Sequence, residues 1–192
     1  LLLDSGGVRL HEANAGLIAI SEIMRALLAA RVAGVPVIAI IGGANGCFGG
    51  VGIIARCCDH VIMSEEGRLA LSGPEVIETV KGVEEFDSRD HALVWRTTGG
   101  KHRYLLGEAD TLVADSIPDF RAAALAALGD GRPLTLEALE AHQARLEERR
   151  MRYGKLDDAV DIWSAQGIAD PSNLPLLEAD EFLFAVAHRG HE

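Results

Sequence analysis

The chain has 192 residues, 48% of them hydrophobic and only 5% aromatic, with a formal net charge of −11. That length supports one sizeable core, or one domain with an appendage, and the acidic balance argues against the clustered Lys/Arg surface that nucleic-acid binding needs. No apolar run reaches membrane-spanning length without a charge or a glycine cluster, no signal peptide is visible, and Cys47, Cys57 and Cys58 suit neither a disulfide framework nor a zinc site, so a cytoplasmic protein without metal or membrane partner is expected.

Residues 1–3, all leucine, read as a buried strand that ends at the glycine turn Asp4-Ser5-Gly6-Gly7. A strand in that position needs neighbours, and the chain does not open on Met, so an N-terminal part of the natural protein is expected to lie outside this sequence. Across residues 13–32, Leu17, Ile20, Ile23, Met24, Leu27 and Leu28 recur at helical spacing. Gly34-Val35-Pro36 ends that helix, and residues 37–41 form the next strand.

The stretch 38–55 organises the rest. It begins as an apolar β-branched run, passes through Gly42-Gly43-Ala44-Asn45-Gly46-Cys47-Phe48-Gly49-Gly50, and resumes as an apolar segment, which predicts strand, glycine loop, helix. Glycine lets a backbone approach a ligand closely, and the first amides of a helix have no intrahelical acceptor, so Gly49, Gly50 and Val51 can receive an oxyanion or a phosphate. Tight helix–sheet packing explains the same glycines, and the pattern alone leaves both readings open. No Lys-Ser/Thr follows the glycines, and no acidic residue ends a second strand about 20 residues on, which sets aside the two common phosphate loops. The turn at residues 4–7 and this loop follow successive strands, which predicts glycine-rich backbone at one sheet edge, where ligands of α/β folds sit.

Residues 59–63 and 68–71 read as strands around the turn Glu65-Glu66-Gly67. Ser72 or Gly73 then caps a helix over 74–80, with Pro74 at its first position and Glu75 and Glu78 near its positive end. Residues 81–103 read as irregular and charged, and the Trp95 and Arg96 content is typical of an interface or a solvated surface. A last strand at 112–114, a helix over 120–128 and the linker 129–133 follow. Helices beginning at Thr135 and spanning 157–166 and 180–187 complete a C-terminal arm expected to pack on a neighbouring subunit, so the chain divides into a core, 1–129, and an arm, 130–192.

Three segments carry a resemblance. Ser5-Gly6-Gly7-Val8-Arg9-Leu10-His11-Glu12-Ala13, then Phe48-Gly49-Gly50-Val51, then Leu71-Ser72-Gly73-Pro74-Glu75-Val76-Ile77-Glu78 stand in the order and spacing seen in carboxyltransferase subunits of the crotonase superfamily. The string from Gly73 through Lys81-Gly82-Val83-Glu84-Glu85-Phe86-Asp87-Ser88-Arg89-Asp90 resembles the biotin-independent malonate decarboxylase branch, β subunit, in particular. The resemblance implies an α/β, crotonase-like (ClpP/crotonase) spiral of strand-strand-helix units with a C-terminal helical arm.

It further implies a site shared with a second crotonase-fold subunit, the gamma subunit, in a complex that also holds an acyl carrier protein and an acyltransferase subunit. No cofactor is expected on this chain. The substrate is a malonyl thioester carried on the carrier's phosphoribosyl-dephospho-CoA group, a CoA-like thioester. His11 stands where the acetyl-CoA carboxylase relatives carry Gln.

Loss of CO2 from such a thioester drives charge onto its carbonyl oxygen, and Gly6-Gly7 and Gly49-Gly50 are the two candidate backbone donor pairs. Val8, Arg9, His11, Phe48, Val51, Ser72, Gly73 and Pro74 are the expected substrate contacts. The proton returned to carbon comes from water, His11 or the other subunit. Arg9 suits a substrate carboxylate or phosphate, or else a salt bridge to Glu12 or Asp4. Cys47, ahead of a helix N-terminus, is a weaker nucleophile candidate because no histidine stands beside it. Two other functions fit the same residues: the carboxyltransferase β subunit of a biotin-dependent acyl-CoA carboxylase, and a non-catalytic scaffold subunit.

Overall fold

The computed structural model describes residues 1–5, 10–12, 14–132 and 134–187. After a 3-10 turn at Leu10–Glu12, helix α1 (Ala15–Val32) leads into β1 (Ile38–Ile41), then β2 (Cys47–Phe48) and α2 (Gly50–Arg56). Strands β3 (His60–Ser64) and β4 (Leu69–Ala70) precede α3 (Pro74–Lys81), α4 (His91–Thr98) and α5 (Gly100–Leu105). Strand β5 (Thr111–Val113) and helix α6 (Ile117–Ala127) follow, then α7 (Leu136–Tyr153), α8 (Ala159–Ala165) and α9 (Ala179–Ala187).

Two parallel sheets result. The larger has the order β1-β3-β5, with Ile40 opposite Ile62 and Met63 opposite Leu112; all five residues of β3 are buried, as a central parallel strand requires. The smaller pairs β2 with β4, Cys47 opposite Leu69 and Phe48 opposite Ala70. Residues 1–5 tie the two together, since Leu2 bridges Ile40 in parallel and Ser5 bridges Cys47 in parallel. The strand expected at 1–3 is therefore present as pairing to β1 but is not buried, since Leu1 and Leu2 are exposed beyond the edge of that sheet, and a strand not expected, β2, lies inside the glycine loop.

One core cluster fills the space between the sheets and the helices, with Ala39, Ile41, Cys47, Ala55, Val61, Met63 and Leu69 at its centre. Helix α1 lies against it through Leu27 and Ala30 yet has no buried residue, and Leu17, Ile18 and Val32 face outward. The Arg31 guanidinium binds the Asp59 carboxylate at 2.7 Å, and the second Asp59 oxygen accepts the Val37 amide, which fixes the turn from α1 into β1.

The expectation of an irregular segment over 81–103 is overturned. Asp90 caps α4 by accepting from the Leu93 amide, and the Thr97 and Thr98 hydroxyls donate back to the carbonyls of Leu93 and Val94. Tertiary burial of Val94, Thr98, His102 and Leu105 outweighs the weak helix propensity of the Thr-Thr-Gly-Gly run. Trp95 is half-buried on its own chain, with Arg68 4.6 Å above its ring and the His91 ring tilted against it at 5.4 Å.

The C-terminal elements form a second cluster with the sheet: Trp163, Leu174, Phe182 and Val186 pack with Leu105 and Leu112. α8 and α9 thus pack on this chain's own α5 and β5, while α7 buries no residue. α7 is held instead by charge, because Arg149 donates to the Leu106 carbonyl at 3.0 Å and pairs with Glu108 at 2.8 Å. Burial alone would raise the Glu108 carboxyl, but Arg103 and Arg149 hold it below its usual range.

At the centre of this second cluster the Trp163 indole donates to His102 Nδ1 at 3.2 Å, so His102 must be the tautomer with a bare Nδ1. Burial, with Arg103 beside it, pushes the His102 imidazole down to about 4. Its folded value lies below its unfolded one, so the unfolded chain binds the extra proton and stability is lost as pH falls from about 6.5 toward 4. Roughly 2–4 kcal/mol is lost over that window, at about 1.4 kcal/mol per pH unit. In urea unfolding at pH 7 and pH 4.5, His102→Asn should lose less stability than wild type on acidification; an equal loss would show that His102 does not titrate this way.

Candidate functional site

The three segments that carried the resemblance leave the small sheet side by side. Ser5 lies next to Cys47, Cys47 is opposite Leu69, and the chain departs in parallel from all three. Gly6, Gly7, Val8 and Arg9 lie outside the described residues, but Ser5, which precedes them, stands at the same edge as the Phe48–Val51 turn. The Ser5 amide donates to the Gly46 carbonyl at 2.8 Å, and the Asp4 carboxylate accepts both the Asn45 backbone amide, at 2.9 Å, and its side-chain amide, at 3.1 Å. Asp4 so clamps the first glycine turn to the second, a contact that sequence spacing of 41 residues does not reveal.

Gly49 has φ +64°, a left-handed conformation that glycine adopts without strain, and it turns the chain from β2 straight into α2. Its amide is not free: it donates to the Leu71 carbonyl at 2.9 Å and extends the β2–β4 pairing by one rung. The Gly50 and Val51 amides are the first of α2 and have no acceptor in their own helix; among the described residues neither donates to a backbone carbonyl. The Val51 side chain packs against the first core cluster, which leaves its backbone as the chemically available part.

Both readings of the glycines hold, at different positions. A Cβ on Gly52 would stand 2.7 Å from the Ala70 carbonyl oxygen and 3.2 Å from that of Cys47, so Gly52 is a packing glycine that lets α2 lie directly on β2 and β4. A Cβ on Gly50 would first meet the Ile20 side chain of α1, at 2.7 Å, and one on Gly49 would meet nothing within 4 Å among the described residues.

On the neighbouring strand, Gly73 is the N-cap of α3 with extended backbone, Pro74 is buried at the first helical position, and Ser72 is half-buried. The ends of β2 and β4 therefore start two helices, α2 and α3, at one edge. The Phe48 ring is buried; it lies under Arg68, 5.7 Å from the guanidinium, and beside Gly46 and Gly73. Arg68 also donates to the Ala44 carbonyl and spans from the loop to Trp95, a link that the sequence reading missed because its three partners are far apart in the chain. His11 is exposed in the 3-10 turn before α1.

Cys47 is fully buried in β2, and burial, with Cys58 and Asp4 nearby, pushes its thiol up to about 12. A thiol so hard to ionise is a packing group, which removes the nucleophile reading. Among the described residues no group of three His, Cys, Asp or Glu side chains can hold a metal ion, and no helix is long and apolar enough to cross a membrane.

Parallel sheets flanked by helices, with glycine-lined strand ends gathered at one edge, give the α/β architecture expected from the sequence. The chain belongs to the carboxyl transferase domain family, which it matches over residues 1–112. It is 44% identical over 188 residues to the malonyl-S-ACP:biotin-protein carboxyltransferase MADC of Malonomonas rubra, a match covering 94% of this chain and 58% of that protein. Among solved structures it is similar to a chain of a Pseudomonas malonate decarboxylase hetero-tetramer in complex with malonate, at 41% identity and a TM-score of 0.74, over 86% of this chain and 59% of that one. It is also similar to a chain of the Pseudomonas MdcD-MdcE hetero-dimer, at 40% identity and a TM-score of 0.61, over 77% and 60%. The chain thus spans a little under two thirds of the length of these relatives.

The Gly52 contact yields a direct check. Gly52→Ala forces α2 off the β2–β4 pair and is expected to cost about 1–3 kcal/mol of stability, measured by chemical denaturation. A cost near zero would mean that α2 does not rest on the strand carbonyls.

Proposed function

We propose that this chain is the β-type subunit of a malonate decarboxylase and that the Gly50 and Val51 amides hold the thioester oxygen as it becomes an enolate. The observation that carries the reading is the pair of backbone donors that, among the described residues, has no acceptor, at the edge where β2 and β4 end beside Ser5. Support for the substrate class comes from the relatives, two solved as malonate decarboxylase and one named for malonyl-S-ACP.

In the proposed reaction the bond between C2 and the carboxylate carbon breaks, CO2 departs, and the electron pair moves through C2 and C1 onto the thioester oxygen. Donors already aimed at that oxygen need no reorganisation as charge builds, and one such donor is commonly worth about 100- to 1000-fold in rate. C2 then takes a proton to give the acetyl thioester, from water, from a group on a second subunit, or from His11, which solvent reaches. Gly6 and Gly7, which follow Ser5 in the sequence, are assigned the second donor pair and Arg9 a substrate anion. The malonyl group is carried as a thioester on the phosphoribosyl-dephospho-CoA arm of an acyl carrier protein, loaded by an acyltransferase subunit.

A second crotonase-fold subunit, the gamma subunit, completes the site. The rim beside it suits such a partner, since Leu71 is 70% exposed and Val80 of α3 is 82% exposed. The core and the arm, residues 1–129 and 130–192, are proposed as the two parts of the subunit.

A second reading is favoured by the name of the Malonomonas relative: the carboxyl group passes to a biotin protein instead of leaving as CO2. The same enolate forms, so the same amides serve, and the two readings differ only in the acceptor.

The test removes one of the two donors. Proline at the first helical position lacks an N–H that the helix does not use, and trimming Ile20 clears the room its ring needs. In the assembled enzyme, Gly50→Pro with Ile20→Ala should keep the complex intact and slow CO2 release from malonyl-carrier by about 100-fold or more, with Ile20→Ala alone near wild type. Unimpaired release from the double variant would sink the oxyanion assignment. Carboxyl transfer that requires added biotin protein, with no CO2 released in its absence, would select the second reading.

A further inference from the structure

The inner face of α7 carries chemistry that the proposed reaction does not use. His142, Arg145, Arg149 and Arg152 recur at spacings of three, four and three residues, which places them in one stripe along the helix. That stripe faces a cleft of about 250 Å³ whose other wall includes Arg56, the last residue of α2, and Gly107.

Four arginines and one histidine line the cleft against a single carboxylate, Glu148, in a chain whose net charge is −11. Arg149 is neutralised from behind by Glu108. Among the described residues, Arg56, Arg145 and Arg152 form no ion pair: Arg56 donates to the Glu108 carbonyl and faces His142 Nε2 at 3.4 Å, and Arg152 lies over the Tyr153 ring at 5.4 Å. Burial and the neighbouring Arg56, Arg145 and Arg149 hold the His142 imidazole below its ordinary value, so it stays neutral and can accept from Arg56.

Arg56 shares the single Glu108 carboxylate with Arg103 and Arg149, and Arg145 and Arg152 add two charges without an ion pair among the described residues, so the cleft is left with an excess of positive charge. The arrangement is stabilised by an anion carrying two or more charges, whose oxygens match the planar donor fork of arginine. A carboxylate brings one charge and leaves the excess. The cleft holds the volume of roughly eight liquid waters, at about 30 Å³ each, which admits a diphosphate but not a folded protein segment.

We propose that the cleft between α7 and the C-terminal end of α2 is a binding site for the phosphate or diphosphate group of a small molecule, held by Arg56, Arg145 and Arg152. The site is separate from the proposed reaction centre, since Arg56 ends the helix that Gly50 begins.

The experiment is calorimetric titration of the assembled enzyme with inorganic pyrophosphate at 0.15 M salt, with a nucleoside diphosphate, sodium sulfate and poly-glutamate as parallel arms. Arg145→Gln and Arg152→Gln are the variants, because both side chains are exposed and neither holds another element in place. Pyrophosphate should bind saturably at one site per chain, each variant should weaken it by at least about tenfold, and CO2 release should stay unchanged. Tighter binding of a nucleoside diphosphate than of pyrophosphate, with the same sensitivity to the variants, would support the site and identify a larger phosphorylated ligand as its source. Absence of saturable pyrophosphate binding, equal binding of sulfate, or binding that ignores both variants would overturn the proposal. So would capture of poly-glutamate without pyrophosphate, which would reassign the stripe to an acidic protein surface.

Discussion

The contact on which the site depends is the approach of α2 to the carbonyls of Cys47 and Ala70, which the absence of a side chain at Gly52 permits. With the helix seated there, its first turn begins immediately beyond the β2–β4 pair, and the Gly49 amide can still add a rung to that pair while Gly50 and Val51 face away from any acceptor in the helix. Two requirements that normally conflict, close helix–sheet packing and backbone donors without an acceptor among the described residues, are met at neighbouring residues. The left-handed turn at Gly49 separates them.

Around that contact the structure is braced by polar clamps between segments remote in sequence. Asp4 binds Asn45, Arg31 binds Asp59, and Arg68 reaches from the Ala44 carbonyl to the Trp95 ring. Each fixes a loop at one end of a short strand, where two or three residues of pairing alone are weak. The second cluster, centred on Trp163 and the neutral His102, secures α8 and α9 to the sheet, whereas α7 is attached mainly through arginines. Charge in place of apolar burial leaves the inner face of α7 basic, which is why an acidic chain retains a cationic cleft.

Much of this was legible in the sequence. Helical spacing marked α1, Pro74 with Ser72-Gly73 before it marked α3, and Thr135 marked the start of α7, whose cap it is. The glycine loop announced a site but not its division of labour, because the same residue type serves a turn at Gly49, an open donor at Gly50 and packing at Gly52. Only the identity of the atoms facing each Cα separates those roles. α4 and α5 were hidden because Thr97, Thr98, Gly99 and Gly100 are poor helix formers whose conformation is imposed by burial. The two-residue strand β2 was hidden because its partners, Ser5 and Leu69, are each more than twenty residues away. The Cys47 thiol, a weak nucleophile candidate ahead of a helix start, is sealed in that strand.

The central claim is that the Gly50 and Val51 amides receive the developing enolate. The most direct measurement is a crystal structure of the assembled enzyme with a stable enolate mimic of the malonyl thioester. The account predicts the mimic's oxyanion about 2.7–3.1 Å from one or both of those amide nitrogens. An oxyanion bound elsewhere, with both amides turned to water or to another protein group, would contradict it.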